Sequence, residues 1–187
     1  QPRQPPPPLS GAQDSPHRFR IQKCVGPVQH EGFIVVIEAH QEHPVSAHNL
    51  LPEQTIIITG AATGIGQAFA LGAAAQGAHV IVADMNGADE TMDLIKAQGG
   101  RATYAKVDVS DDASVKAMAE TALKATGRID GLINNAAYFR EVKLTPFEEL
   151  DPAIWDRIFQ VNVKGVWLCC KAVMPAMRER GKGSIVN

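Results

Sequence analysis

The feature that most constrains this chain is a glycine-rich turn, Thr59-Gly60-Ala61-Ala62-Thr63-Gly64-Ile65-Gly66, set between an apolar run and an alanine-rich segment. The run before it, Gln54 to Thr59, reads Gln-Thr-Ile-Ile-Ile-Thr and suits a strand buried on both faces. The segment after it, from about Gly66 to Gln76, suits a helix. Glycines at such a junction let the backbone turn tightly and approach an anion closely. The helix that follows aims free N–H groups and its positive dipole end at the same point.

The pattern continues downstream. Ala78 to Ala83 is a second apolar strand, Asp89 to Gln98 a helix, Ala102 to Val109 a strand and Asp112 to Thr126 a helix. Ile129 to Asn134 is strand-like again, a helical stretch runs from about Pro152 to Arg180, and Gly183 to Asn187 opens a fifth strand. Strands alternating with helices of this length form βαβ units and a parallel sheet. Right-handed crossovers make that an α/β doubly wound Rossmann sheet, here reaching only the start of its fifth strand.

Glycines alone mark many ordinary turns. Here they follow a strand, open a helix and precede an acid, Asp84, at the end of the second strand, which is the context of a dinucleotide site. A phosphate loop of the Lys-Ser/Thr kind is excluded, because no such pair follows the glycines. The bland alternative is a scaffold of the same shape that binds nothing. A carboxylate at Asp84 can take both hydroxyls of an adenosine ribose and repels a 2′-phosphate. Met85 and Asn86 beside it are uncharged, as is Thr63 in the loop, so NAD is expected over NADP. The competing reading of Asp84 is a helix cap.

The spacing Gly-x-x-x-Gly-x-Gly with Thr before it resembles the short-chain dehydrogenase/reductase family. Four further stretches fit that resemblance: Asp108-Val109, Asn134-Asn135-Ala136-Ala137, Val161-Asn162-Val163-Lys164-Gly165 and Gly183-Ser184-Ile185-Val186-Asn187. The resemblance covers Leu51 to Asn187. It implies cofactor contacts at Gly60, Thr63, Gly64, Ile65, Gly66, Asp84, Asp108, Val109, Asn135 and Ala136. It also implies that Asp108 lies against the adenine and that Asn162, the one candidate catalytic residue, helps hold a water in a proton relay. Asn134 and Asn135 could equally tie strands together, and Asn162 could be a buried side chain bonded to the adjacent helix turn. At Ala137 the family usually has glycine, so alanine fits only if the backbone there keeps a negative φ.

The implied reaction moves a hydride between a nicotinamide and an alcohol or carbonyl carbon of a small molecule. The family performs it with a Ser after the fifth strand and a Tyr-x-x-x-Lys pair. Neither tyrosine makes that pair: Asp108 stands four residues after Tyr104 and Val142 four after Tyr138. The chain begins with Gln and ends within a strand, and so reads as an incomplete form of an enzyme. The alternative is a naturally shortened, non-catalytic dinucleotide-binding protein. The loop from Tyr138 to Glu149, with Phe139, Arg140, Glu141 and Lys143, would form one wall of the substrate pocket. Apolar Val163, Val166, Trp167, Leu168 and Val173 on the long helix predict exposed surface, poor stability of the isolated chain, and a homo-oligomer at full length.

The first 50 residues differ in kind. Nine of the 12 prolines lie at or before Pro52, and Pro5 to Pro8 form a run, so residues 1–50 are expected to be a disordered extension preceding the domain at 51–187. His30, His40, His43 and His48 match no common metal-ligand spacing, so no metal is expected. Cys24, Cys169 and Cys170 form neither a disulfide framework nor a metal set. The net charge of −2 leaves no footprint for nucleic acid, and no apolar run is long enough for a bilayer. With no basic-then-apolar start, the expected location is cytoplasmic.

Overall fold

The computed structural model describes residues 49–139, 142 and 145–187. The expected disordered extension, its histidines and Cys24 fall almost wholly outside these residues, as do Arg140, Glu141 and Lys143.

Five parallel strands form one sheet: β1 (Thr55–Thr59), β2 (His79–Asp84), β3 (Arg101–Lys106), β4 (Gly131–Ile133) and β5 (Ser184–Val186), in the order β3-β2-β1-β4-β5. Between them run α1 (Gly64–Ala75), α2 (Asp89–Ala97), α3 (Asp112–Thr126), α4 (Pro152–Phe159) and α5 (Val166–Glu179). The strand order reverses at β1, where β2 lies on one side and β4 on the other. In open sheets of this kind the crevice for a ligand lies at that switch point, beyond the carboxyl ends of the strands.

The sheet is coated on both faces. Ile56, Ile58, Val80 and Val82 pack with Ala70 and Ala74 of α1 and Ile95 of α2. Ile57, Ile81 and Leu132 pack with Met118 and Ala122 of α3 and Leu168 and Val173 of α5. Alternating side chains of one strand thus feed two different cores, which is why β1 and β2 read as unbroken apolar runs. The small alanines let α1 lie close to the sheet. Cys169 belongs to the second core, where burial and the neighbouring Cys170 push its thiol up to about 12. A thiol held so far from ionisation is inert packing material.

Boundaries moved where the sheet or a cap decided them. Helix α3 spans the predicted residues because Asp111 caps it, accepting from Ser114 N at 2.9 Å, and Gly127 closes it at φ 74°. Helix α1 starts at Gly64, two residues before the expected position, with Gly66 already in its first turn. Strand β3 ends at Lys106 rather than Val109, since its partner β2 stops at Asp84. The expected single helix from Pro152 to Arg180 is three segments: α4, a π-helical turn at Gln160–Gly165, and α5.

The apolar residues of this long helical stretch divide unevenly. Leu168 and Val173 are fully in the core, so the expected loss of cover does not reach these two, whereas Val166 is only half-buried. Trp155, Phe159, Val163 and Trp167 instead form an exposed row with one apolar residue every four positions. Below the sheet, Asp130 is almost completely buried and bonds Arg128 (2.7 Å to each carboxylate oxygen), Arg180 (3.3 Å) and Thr55 N (2.9 Å). That cluster pins the amino end of β1 to the segment entering β4. Among the described residues no helix is long and apolar enough to cross a membrane, and no group of three metal-ligating side chains occurs.

Candidate functional site

At the switch point the loop after β1 meets the loop after β4. Gly60 has φ 67°, and a Cβ there would lie 2.9 Å from Ala136 Cα. Gly66 is tighter still, with a Cβ position 2.1 Å from Gly60 O and 2.5 Å from Asn135 Nδ2. These two positions admit only glycine, and Gly64 (φ 63°) is the third whose backbone favours it. The result is a narrow, bare-backbone turn opening α1.

The helix end is left uncapped. Thr63 occupies the N-cap position with extended backbone, yet its side chain makes no cap bond, and no acid stands in the first turn. Thr63, Gly64 and Ile65 are exposed. Free N–H groups in an accessible first turn, with the dipole behind them, have the geometry that can receive an anion.

Asn135 and Thr59 fix the cradle from below. Asn135 Nδ2 donates to Thr59 O (2.9 Å) and Gly60 O (3.1 Å). The buried Thr59 hydroxyl accepts from Asn135 N (3.0 Å) and Ala136 N (3.1 Å) and donates to Ile133 O (3.3 Å). Asn134 reaches the other way, to Asn187 Oδ1 at 2.7 Å, and so ties β4 to the end of β5. Ala137 does not have a positive φ, so the alanine in place of the family's glycine sits there without strain.

Asp84 stands beside the same turn and caps no helix, since α2 begins at Asp89. Its Oδ2 accepts from Ala62 N (3.0 Å) and its Oδ1 from Asn86 N (2.9 Å), which fixes the plane of the carboxylate. The parallel register also sets Lys106 of β3 next to Asp84, a charge that the sequence neighbours of Asp84 do not reveal.

Asp108 and Val109 belong to an adjoining cluster. Asp108 Oδ1 accepts from Ser110 Oγ (2.6 Å) and Ser110 N (2.9 Å), and Arg157 of α4 reaches Ser110 Oγ (2.9 Å) and Asp108 Oδ2 (3.7 Å). Burial disfavours the charged form of Asp108, but the Ser110 bonds and the Arg157 guanidinium outweigh it and hold the carboxyl below its usual range. Val109 is buried, with its Cγ2 2.9 Å from where a Cβ on Gly165 would lie. Arg157 also lies over the Tyr138 ring, 5.9 Å from its centroid.

Asn162 lies in the π turn. Its Oδ1 accepts from Tyr138 N (2.8 Å) and its Nδ2 donates to Tyr138 O (3.3 Å). Both ends of the carboxamide are thus spent on the loop after β4, rather than on the adjacent helix turn. Tyr104, the other tyrosine, donates to Asn86 O (2.8 Å). Burial and the charges of Asp84 and Asp89 raise its hydroxyl pKa, the opposite of what a general base requires.

A doubly wound parallel sheet with a glycine turn at its switch point and a fixed acid after β2 defines the Rossmann-like class of α/β proteins. The short chain dehydrogenase family profile matches residues 54–187, and the chain belongs to that family. It is 45% identical over 139 residues to an uncharacterized oxidoreductase of Bacillus subtilis, covering 73% of this chain and 50% of the relative. It is 38% identical over 149 residues to D-threitol dehydrogenase of Mycolicibacterium smegmatis, covering 79% and 56%. Among solved structures, levodione reductase superposes with a TM-score of 0.70 at 32% identity, covering 73% of this chain and 54% of that one. The chain spans about half the length of the curated relatives it matches.

Proposed function

We propose that the protein is an oxidoreductase that transfers a hydride between NAD(H) and a small alcohol or carbonyl compound, and that it prefers NAD to NADP. The observation that carries the reading is the Asp84 carboxylate, locked by two backbone N–H groups at the edge of a glycine turn that admits no side chain.

The residues fit the cofactor. The N–H groups of Thr63, Gly64, Ile65 and Gly66 receive the pyrophosphate, with Gly60 and Gly66 giving the room. Asp84 takes the hydroxyls of the adenosine ribose. Asp108 and the Val109 backbone wall the adenine, and Asn135 and Ala136 line the cleft toward the nicotinamide. When bound, the nicotinamide supplies the site that gives or takes the hydride. Asn162 holds the Tyr138 peptide at the floor of the substrate side. With its carboxamide committed there, its contribution to a proton path comes through the main chain of the π turn, where the ordinary helical bonding is interrupted. The chain itself carries no Tyr-x-x-x-Lys pair to act as the acid and base.

Self-association belongs to the same reading: the exposed row of Trp155, Phe159, Val163 and Trp167 is apolar surface of the kind that subunits bury. Free thiols at Cys169 and Cys170 suit a reducing, cytoplasmic setting.

The test is a fluorescence titration with NADH and NADPH of the wild type and Asp84→Ser. The wild type is expected to bind NADH the more tightly. Asp84→Ser is expected to lose about tenfold in NADH affinity and to gain for NADPH, because it removes the repulsion and leaves Lys106 beside the 2′-position. An unchanged ratio in the variant refutes the role given to Asp84, and no binding by folded wild type refutes the dinucleotide reading.

A further inference from the structure

We infer that Thr91, on the first turn of α2, is a positioning residue for the dinucleotide, which sets the peptide planes of the glycine turn from behind. The inference rests on the dinucleotide reading above and adds to it a residue that touches no ligand.

Thr91 is completely buried. Its hydroxyl proton is shared between Ala61 O (3.1 Å) and Ala62 O (3.0 Å), thirty and twenty-nine residues earlier in the chain. Its oxygen accepts from Gln67 Nε2 of α1 (3.0 Å), which also approaches Ala62 O at 3.5 Å. Helical threonines ordinarily return the proton to their own helix. Thr121 does so to Ala117 O (2.8 Å) and Thr126 to Ala122 O (3.0 Å). Thr91 stands in the first turn of α2, where no helical carbonyl lies four residues back, and its proton goes to the loop instead.

Two successive peptides are fixed in this way. In the Ala61–Ala62 peptide the carbonyl faces Thr91, and the N–H, directed oppositely across a planar trans bond, meets Asp84 Oδ2. In the Ala62–Thr63 peptide the carbonyl again faces Thr91 and Gln67, so the Thr63 N–H is directed away from α2, at the start of the uncapped helix end. One hydroxyl therefore orients both the carboxylate that takes the ribose and the first N–H offered to the pyrophosphate.

The experiment compares Thr91→Val and Thr91→Ser in the full-length protein, by NADH titration and by melting temperature in the absence of cofactor. Valine keeps the shape and loses the hydroxyl; serine keeps the hydroxyl and loses a buried methyl. Thr91→Val is expected to bind NADH about tenfold more weakly and Thr91→Ser within about threefold of wild type, even where serine melts lower. Affinity that simply follows melting temperature, or Thr91→Val within twofold of wild type, overturns the inference and leaves the dinucleotide reading standing. Absence of NADH binding by the wild type overturns both. If Thr91→Val does not fold, Gln67→Leu, which removes the donor to Thr91 from a half-buried site, is expected to lose about threefold, and an unchanged affinity overturns the inference.

Discussion

The same substitution at two positions of one helix separates the role of the glycine turn from general effects of glycine. Gly66 and Gly72 both lie in α1, and both have ordinary negative φ. A methyl at Gly72 meets nothing within 4 Å, so Gly72→Ala is expected to stabilise by about 0.5–1 kcal/mol through helix propensity. A methyl at Gly66 would lie 2.1 Å from Gly60 O, 2.5 Å from Asn135 Nδ2 and 2.8 Å from Gly60 C. Relief requires a shift of more than an ångström, and the nearest atoms are backbone rather than the end of a flexible side chain. Gly60 cannot retreat freely, because its carbonyl is bonded to Asn135 and its Cα side abuts Ala136. Overpacking of this kind costs about 3 kcal/mol, the upper part of its usual range. Helix propensity returns about 1 kcal/mol, leaving Gly66→Ala destabilised by about 2 kcal/mol. The two variants should therefore differ by about 3 kcal/mol, or roughly 6–12 °C in Tm for a domain of this size. Thermal unfolding followed by circular dichroism measures the gap, and NADH titration should show the loss of affinity at Gly66 alone. Equal melting temperatures for the two variants would refute the close approach of α1 to the Gly60 carbonyl.

Two further outcomes follow from the buried polar groups. Burial raises the pKa of Asp130, but Arg128, Thr55 N and Arg180 outweigh it, so its folded pKa lies below the ordinary 3.8. A depressed folded pKa contributes stability that is present above the unfolded value and is lost as pH falls through the folded one. Asp130→Asn is accordingly expected to lose about 3 kcal/mol at pH 7 in urea unfolding, with the deficit shrinking below about pH 4. A deficit constant with pH would contradict the ion cluster. Thr59→Val leaves the N–H groups of Asn135 and Ala136 without their acceptor and is expected to cost about 2 kcal/mol by the same assay, whereas Thr59→Ser should stay within about 1 kcal/mol of wild type.

What the sequence could disclose divides along a physical line. Features that depend on near neighbours were legible: the helix at Asp112–Thr126 has the bounds that Asp111 and Gly127 set, and the apolar runs of β1 and β2 place them inside the sheet. The glycine turn and Asp84 were legible too, because strand, turn, helix and acid succeed one another along the chain. The start of α1 was misplaced because Gly64, at φ 63°, has the backbone of a turn, while the bond from Gln67 N to Thr63 O closes the first helical turn around it. The π turn at Gln160–Gly165 left no mark, since one extra residue in a helical turn hardly changes the spacing of apolar residues.

Contacts made through space were mostly not legible; the strand ties of Asn134 and Asn135 were the exception. Asp108 signals nothing about Arg157, forty-nine positions on, until the fold brings that residue of α4 to the loop after β3. The same holds for the charge around the ribose site. Met85 and Asn86 argue that no cation stands near Asp84, and along the chain that is correct. The β2–β3 register nevertheless sets Lys106 beside it, so the electrostatic preference at this corner is a contest between a fixed carboxylate and a surface ammonium. The carboxylate wins in the proposed reading because two backbone N–H groups and the peptide behind them hold it in place, while the exposed lysine must give up rotamer freedom to compete. The discrimination thus depends on how rigidly Ala62 presents its N–H. That rigidity originates in Thr91, a residue whose place in the sequence, within an ordinary amphipathic helix, marks it only as one more half-polar position facing the core.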